Sequence, residues 1–226
     1  MIRRGKVVGT AEPTASQEEL ASLMVGRDVS MTVSKDAAQP GAPMLVVDGL
    51  SVVDPATRVK HLDSVSFEIR AGEILAVAGV QGNGQTELAE AIVGIVPAAE
   101  GSVTLDGGAL TGLTIRQALD SGIGFVPEDR TEDGIVADFT ITNNLILDLY
   151  DKAPYSKAGA IDSRFAAKNA DEQVQRFDVR TTSAEALAGS LSGGNQQKVV
   201  LARELARDLK APDRIAAHPR PRRGVH

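Results

Sequence analysis

The sequence predicts an α/β fold, and three stretches carry that prediction. The first, Glu73-Ile74-Leu75-Ala76-Val77-Ala78, is a short apolar run entered from the Ala71-Gly72 turn, and it reads as a buried strand. The second, Gly79-Val80-Gln81-Gly82-Asn83-Gly84-Gln85-Thr86, is a glycine loop that runs straight into the helical pattern Glu87 to Val93. The third, Leu191-Ser192-Gly193-Gly194-Asn195-Gln196-Gln197-Lys198, is a small-residue turn leading into an apolar-periodic helix, Val199 to Leu209.

Strand, glycine loop and helix in that order form the context of a phosphate-binding loop. The register matches G-x-x-x-x-G-K-[ST] except at Gln85, which stands in the lysine position. A dinucleotide fingerprint fails, because the third glycine position holds Glu87. The N–H groups of Gly82 to Thr86 can form an anion nest at a positive helix end, and the Thr86 hydroxyl can reach a magnesium ion. Losing the lysine removes a charge-assisted bond worth about 1.5–3 kcal/mol. That is roughly ten- to a hundredfold in affinity, and hydrolysis suffers more. Taken singly, the loop also reads as an ordinary strand-to-helix turn, and Ser192-Gly193-Gly194 as a helix cap.

The octet at Leu191 resembles the signature motif of ATP-binding-cassette (ABC) ATPases. Its Asn-Gln-Gln-Lys ending is similar to the form found in importers of sugars and nucleosides. The resemblance implies a P-loop NTPase cassette with a RecA-like core, an antiparallel β-subdomain and a helical subdomain. It implies ATP and Mg²⁺ as ligands, contacted by Gly79, Gly82, Asn83, Gly84, Gln85, Thr86 and Glu128, with Thr86 toward the metal. Glu128 follows Gly124-Phe125-Val126-Pro127 in the position usually held by the glutamine of the nucleotide-sensing loop. Ser192, Gly193, Gly194, Asn195 and Gln196 would face the nucleotide of another ABC cassette, since such sites are composite. Further implied partners are transmembrane permease subunits and, through them, a substrate-binding protein. The implied location is cytoplasmic, peripheral on the inner membrane face through the permease. Second cassettes of two-cassette importers often lack the loop lysine, and residues 1–30 resemble the end of a preceding cassette.

The remaining elements are read in order. Lys6 to Thr10 is a short strand, and Ser16-x-x-Glu19 is a capping box before the helix Gln17 to Val25, stopped by Gly26. Residues 31–43 form a Pro/Ala/Gly-rich linker, and 44–210 the cassette. Met44 to Val53 and Ser64 to Ile69 are strands. No aromatic residue falls between Met44 and His61, so the adenine platform usual in this region of the family, worth about 1–3 kcal/mol, is missing. Ser102 to Leu105 is a strand closed by Asp106-Gly107-Gly108, Thr114 to Leu119 a short helix, and Gly124 to Val126 a buried strand. Asp129 and Arg130 read as a solvated pair. Helices over Asn143 to Tyr150 and Asp162 to Phe177 form the helical subdomain, with Phe139, Leu145, Ile146 and Leu149 in its core. In the family this subdomain receives coupling helices of the membrane protein. Val136-Ala137-Asp138-Phe139-Thr140, Tyr155 to Gly159 and Phe177 to Thr181 are closer to the nucleoside-type branch.

Composition narrows the function classes. The chain has 226 residues, a net charge of −6 and no cysteine. The mild acidity argues against a nucleic-acid partner, and the missing cysteines against a disulfide scaffold. No apolar run approaches the ~20 residues needed to span a bilayer. After the signature helix the pattern breaks. Residues 211–226 hold no apolar run ending in Asp-Glu, and Pro219, Pro221, Arg220, Arg222 and Arg223 cannot continue a central strand. This predicts a cassette incomplete at its C-terminus, with an aberrant, disordered tail and no catalytic carboxylate. Little or no hydrolysis by the chain alone follows. Two alternatives stand beside the importer reading: a non-functional truncated product, and a soluble ABC-type ATPase not linked to transport.

Overall fold

The computed structural model describes residues 1–3, 5–26, 28, 37–80, 82–207 and 209. The expected tail over 211–226 and residues 31–36 of the expected linker lie outside the described residues. The chain divides into two units, residues 1–39 and 40–226.

In the first unit, β1 (Ile2–Arg3) and β2 (Lys6–Val7) form an antiparallel hairpin. The strand expected over Lys6 to Thr10 ends at Val7. The N-terminal ammonium donates to the Gly9 carbonyl at 2.7 Å. Helix α1 (Gln17–Val25) begins where the Ser16 hydroxyl accepts the Glu19 N–H, 3.1 Å away. It ends where Gly26, at φ 80°, turns its N–H onto the Ser22 carbonyl.

The second unit opens with a twisted antiparallel sheet. Strands β3 (Pro43–Val53) and β4 (Lys60–Arg70) pair along their length, with Val47 opposite Phe67 and Leu50 opposite Val65. Helix α2 (Gln85–Val93) follows, then β5 (Glu100–Leu105) and β6 (Gly108–Ala109), and the sheet order is β4-β3-β5-β6. Apolar side chains from β3 and β5 leave one face: Val47, Leu50, Val52 and Val103 are buried. Leu88 and Ala91 of α2 pack onto that face, joined by Ala118 of α3 (Ile115–Asp120). Each fully buried Val or Leu contributes about 1.5–3 kcal/mol. A reciprocal box between Thr114 and Gln117 starts α3.

The second core is helical. It is built by α4 (Ile141–Leu145), α5 (Ser163–Arg176) and α6 (Gly193–Leu205), with a mostly exposed hairpin of β7 (Ser156–Lys157) and β8 (Ala160–Ile161) between α4 and α5 in the chain. Ile141 and Leu145 meet Ala170 of α5 and Val199 and Ala202 of α6. Asn144, fully buried, organises the turn before α4. Its Oδ1 accepts the Val136 N–H at 2.8 Å, and its Nδ2 donates to the carbonyls of Val136 and Thr140.

Several expectations need correction. Residues 73–80 are not a buried strand: they run without strand pairing, and Ile74 is 84% exposed. Gly124 to Val126 is likewise unpaired, with Val126 exposed. A strand of a parallel sheet takes its partners from segments far away in sequence, and among the described residues none pairs with either stretch. Phe139 is 44% exposed rather than core, because α4 turns Ile141, Leu145 and Ile146 inward instead. The helix expected over Asn143 to Tyr150 is α4, five residues long, followed by turns. Helix α6 starts at Gly193, not Val199, since its turn residues take helical geometry directly after Ser192. No helix among the described residues is long and apolar enough to cross a membrane.

Candidate nucleotide site

The glycine loop meets α2 at Gly84. That residue has φ 94°, and a β-carbon on it would lie 2.7 Å from the His61 carbonyl oxygen. Only glycine meets both conditions. No side chain caps α2, so the first-turn N–H groups of Gln85, Thr86 and Glu87 have no intrahelical partner. They point with the positive end of the helix toward the exposed loop. Gly82, at φ 86°, has open space where a side chain would be. Asn83 donates its N–H to the Val80 carbonyl at 3.2 Å, closing the loop.

Gln85 behaves differently from a lysine. Its side-chain amide folds back across Gly79 and donates to the Val80 carbonyl at 3.3 Å. The lysine position thus closes on its own loop and presents no cation to an anion in the nest.

Thr86 donates its hydroxyl to the Glu128 carboxylate, 3.0 Å away and 42 residues on in the chain. Both side chains line a cavity of about 1090 Å³ between α2, residues 125–131 and the end of α6. A hydroxyl beside a carboxylate is an oxygen pair that suits a hard divalent cation. No group of three or more His, Cys, Asp or Glu side chains able to hold a metal occurs among the described residues, so any cation here would need further oxygens from its ligand.

Asp129 does not pair with Arg130 as expected. Its carboxylate accepts the N–H groups of Thr131 and Glu132, at 2.7 and 3.2 Å. It caps a π-helical turn over Arg130–Gly134. Those backbone donors, Thr131 first, hold its carboxyl below the ordinary range. Arg130 instead lays its guanidinium on the open face of Gly193 at the start of α6.

At the signature turn, Ser192 is the N-cap of α6 without using its hydroxyl as the cap. Asn195 donates its amide to the Ser192 Oγ at 3.0 Å and accepts the Arg180 N–H at 2.9 Å. Gln196 donates to the Ala188 carbonyl at 3.4 Å. Asn195 and Gln196 therefore hold the turn in place, while Gly194 is exposed with nothing within 4 Å of a side-chain position.

Sequence reasoning missed the ionic cluster at the far end of α6. Glu204, buried, accepts from Arg203 at 2.9 Å and from the Phe125 N–H at 3.3 Å, and Arg207 pairs with both Glu204 and Asp148. Arg203 donates to the Gly134 carbonyl at 2.9 Å. One signal was present: Arg203 and Glu204 directly follow the buried stripe Val199, Val200, Ala202. The cluster ties α6 to both the unpaired stretch leading to Glu128 and the turn that follows it.

A glycine-loop helix, a threonine–carboxylate pair and a second glycine turn on an antiparallel sheet and helical layer define a nucleotide-binding cassette. The ABC transporter family model matches residues 62–211, and the chain belongs to that family. The guanosine import ATP-binding protein NupO of Bacillus subtilis (strain 168) is 44% identical over 227 residues, covering 100% of this chain and 43% of that protein. The nucleoside import ATP-binding protein NupA of Lactococcus lactis subsp. cremoris (strain MG1363) is 41% identical, covering 100% and 44%. A ribose import ATP-binding protein, RbsA 1, of Streptomyces avermitilis is 37% identical, covering 93% and 39%. The chain therefore spans less than half the length of these curated relatives. The dimeric post-hydrolysis structure of the ATP-binding cassette MJ0796, bound to ADP and Pi, superposes with TM-score 0.61 at 24% identity, covering 74% of this chain and 71% of that one. The likeness to that structure concerns the fold.

Proposed function

We propose that this chain is an ATP-binding cassette of an importer for nucleosides or simple sugars, with a weakened nucleotide site of its own. The observation that carries the reading is the arrangement around Thr86: uncapped N–H groups of α2, a hydroxyl, and Glu128 within 3.0 Å. Phosphates would lie against Gly82, Asn83, Gly84 and the N–H groups of Gln85 and Thr86, and Gly79 gives the Gln85 amide room to fold back. When bound, Mg²⁺ neutralises phosphate charge; Thr86 and Glu128 are the residues that would hold it. The signature turn, Ser192 to Gln196, would serve the nucleotide of a second cassette. Permease subunits would hold the assembly at the inner membrane face, with a substrate-binding protein engaged through them. The similarity to NupO and NupA favours nucleosides over pentoses.

Calorimetric titration with ATP–Mg tests the reading. Saturable, weak binding that Thr86→Ala reduces supports it. A folded chain that binds no ATP, or that turns ATP over at roughly 1 s⁻¹ or faster, contradicts it.

A further inference from the structure

The two larger apolar cores share no residue: α3 belongs to the one under the sheet through Ala118, and α4, α5 and α6 build the other. The cavity of about 1090 Å³ takes wall residues from both sides, Ile115 and Leu119 from α3 and Leu147 and Asp148 from the turns after α4. Beside these wall residues the two sides meet through charge. Arg116 of α3 donates to the Asp151 carboxylate at 2.5 Å, and Lys152 pairs with Asp120. Within α3, Arg116 and Asp120 lie 3.7 Å apart. Each charge thus has an opposite partner across the gap, and the Arg116 guanidinium holds the Asp151 carboxyl below its ordinary range. Both sides are seated in their own layer. Ala118 is buried in α3, and the Lys152 N–H donates to the Leu149 carbonyl at 3.0 Å, three residues past the buried Ile146.

We propose that Arg116, Asp120, Asp151 and Lys152 form an ionic latch that sets how far the sheet layer and the helical layer stand apart at the mouth of this cavity. A lone exposed ion pair holds little, whereas several charges in one network can hold a geometry. Such a latch answers to salt, because the screening length falls from about 10 Å at 0.1 M to about 3 Å at 1 M. It acts whatever ligand the cavity holds.

The chain has no cysteine. Ser102→Cys on β5 and Asp171→Cys on α5, both exposed positions, can therefore carry spin labels whose separation is read by pulsed electron paramagnetic resonance. Three charge exchanges are made in that background, without ligand. Asp151→Lys with Lys152→Asp sets like charges face to face across the gap, and so does Arg116→Asp with Asp120→Arg. All four together restore opposite partners, and none of the exchanges alters net charge. The exchange in α3 keeps its i,i+4 pair and moves the acid toward the helix N-terminus, which favours the helix itself. Each half exchange is expected to raise the longer-distance population about three- to tenfold. The fourfold exchange is expected to return the starting distribution. Salt at 1 M is expected to widen the spacing in the chain of native charge and to narrow it in the half exchanges. Half-exchanged chains with the starting distribution, or a fourfold exchange as open as a half exchange, overturn the proposal. Should the exchanged chains fail to fold, a labelled chain of native charge with the same distances in 0.1 M and 1 M salt overturns it.

Discussion

The Thr86 hydroxyl reaches across 42 residues of chain to the Glu128 carboxylate, 3.0 Å away. A negative charge thus sits beside a phosphate nest whose lysine position is taken by an amide turned back on Gly79. Metal-free nucleotide should be repelled here and metal-loaded nucleotide accepted. Glu128→Gln removes the charge and keeps the acceptor. We expect it to raise ATP affinity in EDTA by about three- to tenfold, the size of one screened charge contact near a surface, and to narrow the gap between magnesium and EDTA titrations. An unchanged ratio between the two would contradict the role assigned to this pair.

Asn144 gives a stability prediction. It is fully buried and satisfies the Val136 N–H and carbonyl as well as the Thr140 carbonyl. Asn144→Ala leaves the Val136 N–H without a partner, at a cost of about 1–3 kcal/mol, and takes one of two donors from each of the Val136 and Thr140 carbonyls, which keep the backbone N–H groups of Phe139 and residue 144. Urea unfolding should show a loss of about 2–4 kcal/mol, whereas the neighbouring exposed Asn143 should tolerate alanine with little change.

The Asp129 cap predicts a pH dependence. Its carboxyl is held below the usual value by the N–H groups of Thr131 and Glu132, so the folded state favours the charged form. The stability it contributes is complete above the unfolded carboxylate value, about pH 4, and is lost as pH falls through the lowered folded value. Asp129→Asn keeps an acceptor without the charge. The stability difference between the unaltered chain and this variant, followed by urea midpoints from neutral to acid pH, should shrink on the acid side.

The parts legible in the sequence were those set by near neighbours. Ser16 announces the start of α1 because a cap involves residues two or three apart. The alternating apolar pattern of Met44 to Val53 and of Val65, Phe67 and Ile69 placed β3 and β4, since hairpin partners lie close along the chain. Glu73 to Ala78 has the composition of a buried strand, but composition does not supply the distant partners that burial needs, and here Ile74 faces solvent. At the site, the glycines and Thr86 could be read from spacing. The contact with Glu128, the folding back of Gln85 and the seat of Arg130 on Gly193 depend on how separate elements pack, which no local pattern encodes.

The central claim is that the loop before α2 is a phosphate cradle weakened at one position, and Gln85→Lys tests it most directly. The lysine would replace an amide that bonds its own loop with a cation free to meet the β- and γ-phosphates. Calorimetric titration of ATP–Mg into both forms should show affinity rising about ten- to a hundredfold in Gln85→Lys, an increase that Thr86→Ala then reduces. A folded Gln85→Lys chain whose ATP–Mg affinity equals that of the unaltered protein, or that binds none, would contradict the assignment of this loop.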